Sequence, residues 1–165
     1  MAQESTMSLA VVDAHEHRDI VTSDAPNTLI QTVLECHDGD DRVMMKITGV
    51  LVDILLADDP DLCGGHVTCE SGKKVPCVVV LKAICGMLIS ALLWCRKFRV
   101  DLEANGLALN PHDACASNKV VNKKQHTVRF HVDDVMSSHV DTKVNDDFKK
   151  WPNKVHGEHG KVKST

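Results

Sequence analysis

The chain has 165 residues, 43% apolar and 25% charged, which fits a folded globular domain and excludes a collagenous, low-complexity or highly charged disordered chain. The formal net charge of −4 hides a split: residues 1–70 hold three Lys/Arg against fourteen Asp/Glu, and residues 71–165 hold sixteen against nine. One part of the surface is therefore expected to repel polyanions and another to attract them.

In chain order, residues 4–17 read as a helix, with Ser5 or Thr6 near its start and Leu9 and Val12 along it. "RDIVTSD", 18–24, reads as a short strand ending on an acid, after which Ala25–Pro26 forces an extended exit and "NTLIQT" turns away. "DGDD", 38–41, is a loop; "RVMMKI", 42–47, a strand; "GVLVDILLADDP" a short apolar helix stopped near Pro60. "HVTCESGKKVPCVVVL", 66–81, predicts a hairpin about a Ser-Gly turn. Residues 83–105 read as a helix, broken by the Asn-Gly and Asn-Pro steps of "NGLALNPHD". "ACASNKVV", the turn "NKK" and "QHTVRFHV" make a second hairpin, followed by the strand "VMSS". A last helix from about Asp141 would turn Val144, Phe148 and Trp151 inward, with Pro152 cutting it short or kinking it, and the tail is expected to fray.

Strands and helices interleave without a regular βαβ rhythm, which predicts an α+β fold: an antiparallel sheet with helices packed on one face. Length suggests one domain. The most apolar run, residues 78–95, is interrupted by Lys82 and Gly86 and reads as a buried strand and helix rather than a membrane span. The first seventeen residues lack a basic leader and an apolar cleavable core, and seven cysteines suit a reducing compartment. Together these predict an intracellular protein, cytoplasmic or nuclear. The cysteines never form C-x-x-C, and "HGEHG", 156–160, offers two His without a third ligand, so no zinc site is expected.

The chemistry concentrates in "FHVDDV", 130–135. Neighbouring strand residues point to opposite faces, so Asp133 and Asp134 converge only where the chain turns. Such a pair is either the polar tip of a hairpin or a hold for a cation. Oxygen ligands suit Mg²⁺, and two metals can hold the attacking and leaving oxygens of a phosphoryl transfer. A further acid would have to arrive from elsewhere, and Asp24, closing its apolar strand, is the candidate.

Four segments, in order, resemble one family. "FHVDDV" resembles the Y/H-V-D-D box of reverse transcriptases in copia-type long-terminal-repeat retrotransposons. "DIVTSDAPNTLIQT" resembles that family's first acidic motif, "VLKAICGMLISALLWCRKF" its L-K-x-A-[LI]-Y-G-[LM] segment, and "LNPHDACASNKVVNKKQHTVRFHVDD" the stretch leading through a hairpin into the acidic box. The resemblance implies an RNA-directed DNA polymerase palm with part of the fingers and no thumb, one domain fragment over residues 1–165. It makes Asp24, Asp133 and Asp134 the catalytic metal ligands, with Asp24 and Asp133 the main bridging pair. It also implies two Mg²⁺ ions, for which Mn²⁺ could substitute, and an RNA or DNA template-primer with deoxynucleoside triphosphates as partners. Arg129 and Lys143 would be candidates to touch nucleic-acid backbone. Leu29 and Ile89 fall at nucleotide-binding positions and depart from the pattern: Leu29 replaces an aromatic ring that crowds the sugar 2′ position, and Ile89 lies where a polar residue often faces the nucleotide. The chain has no tyrosine. Relatives tend to carry Tyr where Cys63, His66, Cys69, Cys77, Cys85, Cys95 and His112 stand, as expected of a degenerate copy of little activity. The alternatives are a relic that binds nucleic acid or nothing, and a metal-binding module built on the Cys/His excess.

Overall fold

The computed structural model describes residues 3–24, 28–34, 42–61, 65, 67–156 and 163–164. The Ala25–Pro26 exit, the 38–41 loop, Cys63, His66 and most of the tail lie outside the described residues. The chain divides into two compact units, Val33–Lys82 and the remainder. Among the described residues all strand pairings are antiparallel, so the α+β class is as expected. Among the described residues no helix is long and apolar enough to cross a membrane.

The Val33–Lys82 unit holds β2 (Met44–Lys46), α2 (Val50–Asp58), β3 (Val67–Glu70) and β4 (Lys73–Val79), with the strands in the order β2–β4–β3. The Ser-Gly hairpin is present. Val52 of α2 and Val75 of β4 are buried.

The larger unit opens with α1 (Gln3–His15) and β1 (Asp19–Asp24), then a 3-10 turn at Leu29–Gln31. It continues with α3 (Ser90–Ala104), β5 (Ala108–Leu109), β6 (Ala116–Val121), β7 (Lys124–His131), β8 (Asp134–His139), α4 (Thr142–His156) and β9 (Lys163–Ser164). Six strands run in the order β5–β6–β7–β8–β1–β9. The second hairpin turns on Asn122 and Lys123, both at positive φ (51° and 61°), which matches the right-handed twist of its strands.

Alternation along the strands sorts this sheet into two faces. Val128, Phe130 and Val135 share one face with Trp94, Phe98 and Leu102, which recur every fourth residue of α3 and are wholly buried. Phe148 of α4 closes this core. Burying each large side chain stabilises the fold by roughly 1.5–3 kcal/mol. The other face carries Arg129 and Ser138, and α1 covers that part of it: Asp13 accepts hydrogen bonds from Arg129 (3.0 Å) and from the Ser138 hydroxyl. Helices therefore flank both faces, not one as expected. The expectation failed because α1 docks through a buried ion pair rather than an apolar stripe.

Two helix boundaries also differ. α3 begins at Ser90, not 83, because Gly86 sits at φ +94°, which a helix cannot adopt. Its end is set by Gly106 (φ +79°): Gly106 N–H bonds Glu103 O and Leu107 N–H bonds Leu102 O, a closure that delivers Leu107 to the core. α4 runs through Pro152 to His156, and Pro152 is itself buried. The tail, expected to fray, supplies β9, which pairs with β1 at Ser23 and Asp24.

Candidate functional site

The strand register brings the early acid to the late doublet. Asp24 at the end of β1 stands directly opposite Asp134 at the start of β8. Directly opposed residues in an antiparallel pair hold their Cβ atoms about 4.5–5.5 Å apart on one face. On the other side of Asp134 the register partner is His131, so Asp24, Asp134 and His131 form one row across three strands. All three are exposed.

Val132 and Asp133 form the two-residue turn between β7 and β8. Val132 lies at φ +54°, a left-handed conformation that costs a β-branched residue about 1–2 kcal/mol. Such strain persists only where the surroundings over-determine it. Here the buried Trp94 donates its indole N–H to the Val132 carbonyl at 2.6 Å, and the Val132 side chain packs on the core.

The two acids of the doublet border different cavities. Asp134 borders one of about 450 Å³ with Thr22, Arg129 and Met136. Asp133 borders another of about 490 Å³ with Thr28, Leu29 and Ile84. His131 borders both. The structure therefore pairs Asp24 with Asp134, whereas the resemblance makes Asp133 the main partner; the alternation of the strand and the turn at Val132 separate the doublet. Leu29 reaches the Asp133 cavity. Ile89 is not in either lining and is exposed at the N-cap of α3. Among the described residues no three His, Cys, Asp or Glu side chains gather closely enough to hold a metal ion. Asp24 and Asp134 fit a hard divalent cation as a two-carboxylate site, since Mg²⁺ usually keeps several waters or phosphate oxygens in its shell.

No family model, curated protein or solved structure matches this chain.

Arg129 corrects another expectation. It is buried and engaged by Asp13, so its guanidinium supports α1 rather than meeting a phosphate backbone. Lys143 is exposed at the start of α4. His131 and Trp94 are not singled out by sequence reasoning, and Val132, which that reasoning puts in a hairpin arm beside the acids, is itself one of the two turn residues. His131 could have been, because it lies in the same hairpin arm as the doublet, three positions before Asp134 and thus its register partner across a two-residue turn. The five described cysteines, Cys69, Cys77, Cys85, Cys95 and Cys115, form no disulfide among the described residues. His156, half of the "HGEHG" pair, is buried against Trp94 (ring centroids 5.2 Å apart).

Proposed function

We propose that this chain is the palm portion, with part of the fingers, of a copia-type reverse transcriptase, by ancestry an RNA-directed DNA polymerase. The observation that carries the reading is the cross-strand register of Asp24 with Asp134, supported by the order of the four motifs. A strained turn held by a buried tryptophan beside two opposed carboxylates is the kind of preorganised feature found at catalytic sites. Asp24 and Asp134 would hold Mg²⁺ or Mn²⁺, with Asp133 entering from the turn. Bound there, the metal would supply Lewis-acid stabilisation of the charge that develops as a primer 3′-hydroxyl attacks a deoxynucleoside triphosphate. The chain's own residues position the acids: Trp94 fixes the turn, and β1 and β8 fix the spacing. Leu29, bordering the Asp133 cavity, would meet the nucleotide sugar with an aliphatic side chain, giving weak discrimination against ribonucleotides.

The test is Mn²⁺ binding followed by electron paramagnetic resonance. Wild-type protein should bind Mn²⁺, and Asp24→Asn and Asp134→Asn should each weaken binding about tenfold or more, as expected when a site loses a carboxylate ligand. Binding that ignores both substitutions overturns the reading. A second reading, a degenerate copy that keeps the fold without polymerase activity, is favoured by the separation of Asp133 from the Asp24–Asp134 pair and by Leu29. Mn²⁺-dependent extension of a DNA primer on an RNA template separates the two: extension abolished by Asp134→Asn supports the enzyme, and metal binding without extension supports the relic.

A further inference from the structure

Two thiols meet where α3 packs beside the start of β6. Cys95 follows Trp94 on α3, and Cys115 immediately precedes β6. Both are half-buried and pack against the core cluster that contains Trp94 and Phe130. Their side chains are hydrogen-bonded to one another.

The backbone on each side of this contact is fixed. The Cys115 N–H donates to Asp113 Oδ1 at 2.9 Å, and the Cys115 carbonyl accepts the Phe130 N–H at 3.0 Å. Cys95 stands on a helix anchored by the wholly buried Trp94, Phe98 and Leu102. Sulfurs already in contact across fixed backbones are placed to bond by side-chain rotation, without a move of the chain. We propose that Cys95 and Cys115 are a redox modification site, joined into a disulfide by a low-molecular-weight disulfide.

The order of attack follows from the surroundings. Burial, then the adjacent Cys115, push the Cys95 thiol up against the opposing effect of Arg99, so Cys95 keeps its proton at pH 7. The first attack therefore falls to Cys115. Its thiolate displaces one sulfur of the reagent, forming a mixed disulfide and releasing one thiol. Cys95 then attacks the Cys115 sulfur, its proton passing to the second departing thiolate. Two protein thiols are oxidised and one reagent disulfide is reduced to two thiols. The bridge closes a loop of about twenty residues, which restricts the unfolded chain more than the folded one. It also ties together two supports of the acidic turn: Trp94, which holds the Val132 carbonyl, and the Cys115 carbonyl, which holds Phe130 in the arm leading to it.

The proposal is independent of the polymerase reading, because its readout is a covalent bond. The test treats the full chain, dilute, with hydroxyethyl disulfide, alkylates the remaining thiols and maps the peptides of the monomer by mass spectrometry. We expect a linked peptide pair carrying Cys95 and Cys115, and a melting temperature higher by about 5–10 °C that dithiothreitol reverses. Cys95→Ala and Cys115→Ala should each abolish the rise, while the exposed Cys69 and Cys85 form mixed disulfides in all three proteins. Should either variant fail to fold, the peptide map of the wild type decides. Recovery of Cys95 and Cys115 as alkylated thiols or as separate mixed disulfides overturns the proposal, as does a bridge from either to another cysteine. A Cys95–Cys115 bridge that leaves the melting temperature unchanged or lowers it also overturns it, because the native frame would then not suit the bond.

Discussion

The indole N–H of Trp94 reaches the carbonyl oxygen of Val132 at 2.6 Å, so a side chain at the centre of the core holds the turn that carries Asp133. Trp94 also stacks on Phe98 (5.4 Å), which leaves its ring little freedom to follow the turn if the turn moves. Trp94→Phe keeps an aromatic ring in the core and removes the donor. We expect a loss of about 1–3 kcal/mol, measured by chemical denaturation. Amide hydrogen exchange at Asp133 and Asp134 should rise by more than the global change requires. Exchange there that tracks global stability alone would show that the bond does not position the turn.

The Asp13–Arg129 pair is the joint between α1 and the sheet, with Ser138 and Arg18 completing it. Both members are nearly inaccessible to solvent. Removing one leaves a buried charge without a partner, so Asp13→Asn should cost about 3–5 kcal/mol. Replacing both, as Asp13→Leu with Arg129→Met, should cost less than the two single changes added, because neither member of the pair is then stranded and Arg18 keeps Glu16 at 2.9 Å. Urea denaturation of the four proteins in the cycle measures the coupling; additive losses would mean that the two groups stabilise independently.

That joint also shows which parts of the structure the sequence could reveal. Hairpins at 67–79 and 116–131 were legible because turn chemistry is local: Ser-Gly and Asn-Lys sit between β-rich runs. The approach of Asp24 to the doublet was legible as a strand-end acid and a hairpin acid, but which of the two acids it would face depends on register, and a slip of one residue exchanges them. Asp13 and Arg129 lie 116 positions apart, and no local pattern marks them as partners. α1 carries its anchoring acid among exposed apolar residues such as Met7 and Val11, so periodicity did not point to its buried side. The late start of α3 turned on the conformation of Gly86, which an apolar run cannot disclose.

Two buried histidines make stability depend on pH. Burial, with Lys119, His139 and Arg18, lowers the pKa of His126 to about 4. Burial, with Lys97 and against the opposing effect of Asp101, does the same for His156. The folded state therefore favours the neutral rings, and the unfolded chain, with an ordinary histidine pKa near 6.5, binds protons first. Their stabilising contribution is complete above about pH 6.5 and is lost as pH falls towards 4, up to roughly 3 kcal/mol per histidine. Melting temperatures measured between these limits should fall with pH, and His126→Phe should flatten the slope. An unchanged slope in the variant would assign the effect to other groups.

Asp24→Asn separates the requirements of the fold from those of the site. Like charges directly opposed on neighbouring strands weaken a sheet by about 0.2–1 kcal/mol. In the absence of divalent metal, then, Asp24→Asn or Asp134→Asn should raise the melting temperature slightly. A bound cation reverses the sign: wild-type protein gains stability with the logarithm of metal concentration above the dissociation constant, and the variants gain less. Melting curves across a Mn²⁺ series should therefore cross, with the asparagine variants more stable at low metal and the wild type at high metal. Parallel curves would mean that the opposed carboxylates do not hold the ion. Because the readout is stability, the test works whether or not this chain extends a primer.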